Sequence, residues 1–259
     1  MEYQTINTKI ENDIAVIEMK QLEKMNAIDR EVIKEISAFL ESSDMLSKAK
    51  VLVITGKDGV FSAGADVNMK LPETVSDGYD LFNASRAMFN RIESMPIPVI
   101  ACINGLAFGG GLELALCCDL RFASVESLLG LPEVNLGIIP AGGGTQRLPK
   151  VVGVGFAKEI CFLGNPLTAG DALDIRLVNK VFPKEQLMEE TLKTARKLSR
   201  KAPLSIQMVK KSINVSAGLG DNPGFELEIL AAAGLAISDD FKEGIAALSE
   251  KRKPDFKGR

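Results

Sequence analysis

The sequence contains no histidine. That excludes Ser-His-Asp and Cys-His nucleophilic catalysis, His-ligated zinc and histidine general-base chemistry, so any proton transfer must run through carboxylates, Lys, Tyr, Cys or the backbone. Cysteine is scarce too: Cys102, Cys117, Cys118 and Cys161 form no C-x-x-C pair and sit in apolar contexts, the pattern of buried free thiols. The amino-terminal MEYQTINTKIEND lacks the basic start and apolar run of a signal peptide, which points to the cytoplasm. There is no basic patch with interleaved aromatics, and a net charge of −3 gives no reason to expect nucleic acid as a partner. The G-x-x-x-x-G-K-[ST] phosphate loop is missing, and the run from Gly153 to Lys158 lacks the third glycine of a dinucleotide turn, so it reads as a helix start. No linker or low-complexity segment divides the 259 residues, which suffice for one large core or a core with an appendage.

One stretch stands out among what is present. From Ile97 to Cys118, IPVIACINGLAFGGGLELALCC carries a single charge, Glu113, just after Gly109, Gly110 and Gly111. Pro98, Asn104, the glycines, the charge and the lack of flanking Lys/Arg clusters argue against a membrane span. A carboxylate in the first turn of a helix gains only about 0.3–1 kcal/mol from the macrodipole, too little to explain its burial among Leu112, Leu114, Ala115 and Leu116. The pattern recurs from Ser127 to Gln146, where Glu133 is the only charge in SLLGLPEVNLGIIPAGGGTQ. Two isolated carboxylates in apolar, glycine-bounded segments suggest a pair in one dry site, each raising the other's pKa, as general acid–base chemistry needs.

The rest of the chain reads as α/β. Tyr3 to Glu18 suggests two short strands broken at Asn12 and Asp13, and Asp29 can cap a helix carrying Val32, Ile33, Ile36, Phe39 and Leu40 on one face. Val51 to Ile54, Val99 to Ile103 and Leu120 to Ala123 are strands, the first two unalternating and so buried on both sides. Phe61 to Asp66 reads as an open loop, and Asp80 to Glu93 as an amphipathic helix ended by Pro96 and Pro98. Further helices are expected over Phe156 to Leu163, Thr168 to Asp174 and Lys184 to Arg200, with a strand from Leu177 to Phe182. Pro203 and Asn222-Pro223 should each start a helix, and Ser238 should cap the last one, which Pro254 stops.

Four segments carry a resemblance to a known family: FSAGAD from Phe61 to Asp66, INGLAFGGGLE from Ile103 to Glu113, LPEVNLG from Leu131 to Gly137 and IPAGGGTQRL from Ile139 to Leu148. With the tail EKRKPDFK from Glu250 to Lys257, they resemble the crotonase superfamily, and within it the enoyl-CoA hydratases. The resemblance implies repeated strand–strand–helix turns wound into a spiral over residues 1–200, and a helical region over 201–259 that builds homotrimers, often paired into hexamers. It implies an acyl-CoA substrate with no cofactor and no metal, the CoA being part of the substrate. The backbone N–H groups of Ala65 and Gly110 would hold the thioester oxygen; donors aimed at such a developing charge can be worth several kcal/mol, and Gly110 at a helix start adds the dipole. By the same resemblance Glu113 would activate a water for attack at C3 of a trans-2-enoyl-CoA, and Glu133 would donate a proton to C2, giving a 3-hydroxyacyl-CoA. The CoA would lie against Lys24, Met25, Ala27, Ala63, Asp66 and Val67. Leu131 would be pocket wall, Ala141 stands where many hydratases have glycine, and Phe256 and Lys257 would close over the acyl-CoA or its nucleotide end, from the same or a neighbouring subunit. Arg176 occupies a turn position usually held by glycine. Branched or cyclic enoyl-CoA hydration, isomerisation and, in another class, a non-catalytic RNA-binding or scaffold role stay open; the scattered Lys193, Lys197, Lys201, Lys210 and Lys211 do not form the basic face that the last would need.

Overall fold

A computed structural model describes residues 3–66, 74–216 and 238–259. Strands β1 (Ile6–Glu11) and β2 (Ile14–Met19) form an antiparallel hairpin through Asn12 and Asp13, whose φ values of 51° and 65° are those that a tight two-residue turn requires. Helix α1 (Arg30–Leu40) begins where the Asp29 carboxylate accepts the N–H groups of Glu31 and Val32, and it buries Val32, Ile36, Phe39 and Leu40. After α2 (Ser43–Lys48), the chain winds through β3 (Val51–Gly56), β4 (Val60–Ser62) and α3 (Val75–Glu93), then β5 (Val99–Ile103), β6 (Leu106–Phe108) and α4 (Gly110–Leu116). A third turn is β7 (Leu120–Ser124), β8 (Leu128–Gly130) and α5 (Gly144–Leu163). It is followed by β9 (Leu167–Thr168), α6 (Ala169–Asp174), β10 (Lys180–Phe182), α7 (Lys184–Leu198), α8 (Pro203–Ser216) and α9 (Asp239–Ser249).

These turns are the strand–strand–helix spiral. The first strand of each joins a six-stranded sheet ordered β1-β2-β3-β5-β7-β10, parallel from β2 onward, while β4, β6, β8 and β9 make a smaller sheet. The large sheet is covered on both faces, so β3 and β5 are fully buried without alternation. Leu52 and Ile54 point into the main core, whereas Val51 and Val53 pack with Ile100, Phe122, Leu187 and Ala195 beneath α7.

Several expectations shift. The loop expected from Phe61 contains the end of β4; β4, β6 and β8 are only three residues each, too short to show a period. Helix α3 starts before Asp80, at Val75; Val75 and Tyr79 are exposed, so they do not extend the apolar face that marks the helix in the sequence. Helix α5 begins at Gly144 rather than Phe156; glycines and Pro149 obscure its periodicity, and Gly153, at φ 80°, is the kink after which the expected segment runs on. The strand expected from Leu177 narrows to Lys180–Phe182, preceded by a turn in which Arg176 takes a left-handed φ of 64°. Cys161 is only half-buried, unlike Cys102, Cys117 and Cys118. The helix expected at Asn222-Pro223 lies outside the described residues. Among the described residues no helix is long and apolar enough to cross a membrane.

Candidate active site

Glu113 and Glu133 meet because two short strands pair. β6 and β8 run parallel with Phe108 opposite Gly130, and the Gly109 N–H donates to the Gly130 carbonyl at 2.9 Å. Each carboxylate follows its strand by a few residues: Glu113 on the first turn of α4, Glu133 at the start of the 3-10 turn Glu133–Leu136. Gly109 lies between them in a conformation (φ 52°, ψ −125°) suited to glycine, and a Cβ there would fall 3.2 Å from Oε1 of Glu133.

Burial sets the charge state of both groups. Glu113 is 4% exposed. Desolvation pushes its carboxyl up, while the N–H groups of Gly144 and Gly142, the Arg147 guanidinium and the Gly143 N–H pull the other way. The strongest of these contacts is the Gly144 N–H, which donates to Oε1 at 2.8 Å. Glu133 is raised to about 7, chiefly by burial, which its own backbone N–H opposes and the charge of Glu113 reinforces. Its Oε2 is buried with no hydrogen-bond partner among the described residues. A carboxyl in that state near neutral pH is suited to donating a proton.

The two N–H groups assigned to the thioester oxygen also converge. An ideal Cβ on Gly110 would lie 3.6 Å from the Ala65 nitrogen, and one on Gly64 would lie 3.0 Å from the Gly110 nitrogen. Gly64 tolerates this approach because it has no side chain and sits at φ 96°. Neither the Ala65 nor the Gly110 N–H makes a hydrogen bond among the described residues. Two neighbouring, unengaged N–H groups, one at a helix start, are the type of donor pair that can hold an anion in a cradle.

The expected CoA-binding stretch borders this cradle. Met25 and Asn26 both take left-handed φ, 51° and 54°, and the Met25 carbonyl accepts the Ala63 N–H at 2.9 Å. Met25 is 46% exposed, whereas Ala27 is buried. Lys24 is paired with Asp29 at 3.0 Å and Asp66 at 3.5 Å, and both carboxylates hold its ammonium pKa up. Val67 lies outside the described residues. Leu131 is fully buried with Cδ1 near Gly144, as a wall beside Glu113, and Ala141 is half-buried at the start of the glycine turn.

Phe256 and Lys257 sit elsewhere. Phe256 lines an open groove of about 530 Å³ with Asn12, Asp13, Lys50, Arg196 and Arg200, where β2 and β3 begin, while the carboxylates lie beyond the ends where the parallel strands finish. Asp240 fixes the tail there, accepting the N–H groups of Lys257 at 2.7 Å and Gly258 at 2.9 Å. Within one chain these two residues do not reach the glutamates.

Sequence reasoning assigned no role to Gly142, Gly143, Gly144 or Arg147, nor to Phe89, whose ring carbon would be 2.6 Å from a Cβ on Gly142. The signal was the buried-type context of Arg147, which donates to the Gly142 carbonyl at 2.9 Å, to Asn90 at 2.6 Å and to Glu93 at 2.8 Å and 3.1 Å.

Comparison with known proteins bears on the family and the fold. The family model described as enoyl-CoA hydratase/isomerase matches residues 9–259. A probable mitochondrial enoyl-CoA hydratase 2 of Arabidopsis thaliana is 37% identical over 99% of this chain and 86% of its own length. A crotonyl-CoA hydratase of Syntrophomonas wolfei is 36% identical over 99% of both chains. A crystal structure of an enoyl-CoA hydratase subunit I from Geobacillus kaustophilus, 37% identical, superposes with a TM-score of 0.93 over all of both chains.

Proposed function

The chain belongs to the enoyl-CoA hydratase/isomerase family and is a hydro-lyase of the enoyl-CoA hydratase type, and from that premise we propose that Glu113 and Glu133 add water across the C2–C3 double bond of a trans-2-enoyl-CoA. The observation that carries this assignment is the pair of buried carboxylates, Glu113 and Glu133, near the unengaged N–H groups of Ala65 and Gly110. The thioester oxygen accepts both N–H groups, so negative charge that builds there as C3 is attacked meets fixed donors. Glu113, with its charged form supported by the glycine N–H groups and Arg147, takes a proton from the water as its oxygen bonds to C3. Glu133, protonated near neutral pH, gives its proton to C2. The product is a 3-hydroxyacyl-CoA, and the proton on Glu113 returns to Glu133 before the next cycle, since coupled carboxyls share protons. No cofactor enters the step; CoA belongs to the substrate.

The enzyme would serve degradation of fatty or related acyl groups in the cytoplasm as a homotrimer or a hexamer of paired trimers. Exposed Phe156, Phe162, Leu163, Val209 and Ile213 support such assembly, because apolar groups of this size are commonly covered by a subunit. A neighbouring copy would then be the route by which Phe256 and Lys257 reach a CoA.

Loss of conjugated-enone absorbance with crotonyl-CoA, the substrate named for the Syntrophomonas relative, and with branched and cyclic enoyl-CoA thioesters tests the reaction. Glu113→Gln and Glu133→Gln should each lower kcat by about 10²–10⁴ without loss of fold. Near-wild-type turnover in either variant sinks the assignment.

A further inference from the structure

The turn that holds Glu113 is itself held from another element. Arg147, on α5, has a side chain only 8% exposed. Its Nη1 donates to the Gly142 carbonyl at 2.9 Å, Nη2 donates to Asn90 Oδ1 at 2.6 Å and to Glu93 Oε2 at 2.8 Å, and Nε donates to the same Glu93 oxygen at 3.1 Å. One rigid planar fork therefore joins α3, which carries Asn90 and Glu93, to the Gly142–Gly144 turn. A Cβ on Gly143 would fall 2.0 Å from Nη1, so the guanidinium fills the space that a side chain at the turn would need. With the Gly142 carbonyl drawn toward Arg147, the peptide plane is set and the following N–H groups face Glu113, of which Gly144 donates at 2.8 Å.

We infer that Arg147 is a positioning residue for hydration: anchored on Asn90 and Glu93, it bonds the Gly142 carbonyl and thereby aims the N–H groups of residues 142–144 at Glu113, holding that carboxylate where the water must be activated. The inference rests on the reading of Glu113 as the base. Two effects follow, one geometric and one electrostatic. Loss of the fork frees the turn, and loss of the cation removes one of the groups that favour the charged carboxylate. Among the described residues the other titratable groups facing Glu113 are Glu133, after β8, and the half-buried Cys161 of α5, while Glu93 of α3 and Cys117 of α4 interact with Arg147 itself. None of them is a cation, so none replaces Arg147 when it is removed.

The test is the pH profile of kcat/KM for crotonyl-CoA hydration in Arg147→Gln, Arg147→Lys and Asn90→Ala, with the Glu113 carboxyl followed by 13C NMR and assigned through Glu113→Gln. Arg147→Gln should lower kcat by about tenfold to a hundredfold with little change in KM, as expected for a displaced catalytic group. Its acidic limb and the Glu113 titration should both move to higher pH. Arg147→Lys should return the limb toward its wild-type position without restoring kcat, because an ammonium keeps the charge but not the fork. Asn90→Ala, which keeps the ion pair, should lower kcat with the limb in place. An unmoved limb together with an unmoved Glu113 titration in Arg147→Gln overturns the inference, whatever happens to kcat. Should Arg147→Gln not fold, wild-type kcat in both other variants overturns it. The NMR titration needs no turnover, so a wild-type protein that fails to hydrate enoyl-CoA would defeat the functional reading while the position of Glu113 still decides this one.

Discussion

Placing one methyl group at Gly142 should disable hydration while the protein still folds. A Cβ there would stand 2.5 Å from Oε2 of Glu113 and 2.6 Å from a ring carbon of Phe89. Non-bonded carbon contacts settle at about 3.5–4.0 Å, so roughly 1 Å of displacement must be found. Neither neighbour can withdraw into solvent: Glu113 is 4% and Phe89 1% exposed. Gly142 has no left-handed φ, so alanine is sterically acceptable for the backbone itself and the whole effect falls on those contacts. Overpacking of this kind costs about 1–3 kcal/mol, a Tm loss of about 2–4 °C for each kcal/mol at this size. The functional loss should be larger, since about 1 Å of misplacement can cost about a hundredfold in rate. Hydration of crotonyl-CoA at saturating substrate, with thermal unfolding measured alongside, separates the two effects for Gly142→Ala. Gly155→Ala is the control: among the described residues nothing beyond its chain neighbours and its own helix backbone lies within 4 Å of its Cβ position, and it sits within α5. It should keep full activity and gain about 0.5–1 kcal/mol of stability from the helix preference of alanine. Wild-type turnover in Gly142→Ala would refute the reasoning that the turn packs directly on a Glu113 carboxylate that takes part in hydration.

Two further outcomes follow from the same contacts. Gly110→Ala puts its methyl at ordinary contact distance, 3.6 Å from the Ala65 nitrogen. The fold and Tm should hold while turnover falls by about 10²–10³, the scale of losing an oxyanion donor; an active Gly110→Ala enzyme would place the thioester oxygen elsewhere. Glu133 is raised in the folded protein from 4.5 to about 7, so its contribution to stability is fully present below the unfolded value and is lost as pH rises through about 7. Glu133→Gln should therefore unfold at a higher Tm than wild type at about pH 8 and show no such gain at about pH 4, as linkage requires; equal Tm differences at both pH values would contradict the buried, protonated state.

Much of the scaffold was legible because its signals are local. Asp29 marked the start of α1 through a cap that needs only the next three residues. The apolar runs of β3 and β5 declared burial on both faces before any partner was known. Arg176 stood out as a non-glycine in a glycine turn, and it does take the left-handed conformation. The strands of the smaller sheet were not legible. With three residues each in β4, β6 and β8, the pairing between strands defines them, not a period within the segment. The start of α5 was not legible either: its glycines and Pro149 obscure the helical period before Phe156, although Gly144 packs against Glu113, Leu131 and Pro140 where the helix begins.

The sequence by itself determined which chemistry was open to this protein. The absence of histidine left carboxylates, Lys, Tyr, Cys or the backbone for proton transfer, and Glu113 and Glu133, each the only charge in an apolar segment, singled out the carboxylates, since burying such a charge unpaired is costly. Composition and motif are properties of the chain alone, so nothing further was needed to read them. Where those carboxylates lie, and in what charge state, was decided by tertiary structure. Parallel pairing of β6 with β8 brings Glu113 and Glu133 together, the approach of Gly64 to Gly110 sets the N–H groups of Ala65 and Gly110 close to one another, and Arg147 reaches from α5 to α3 to secure the turn beside Glu113. Each of these contacts joins segments far apart in sequence. The desolvation that lifts Glu133 to about 7 exists only once those segments exclude water together.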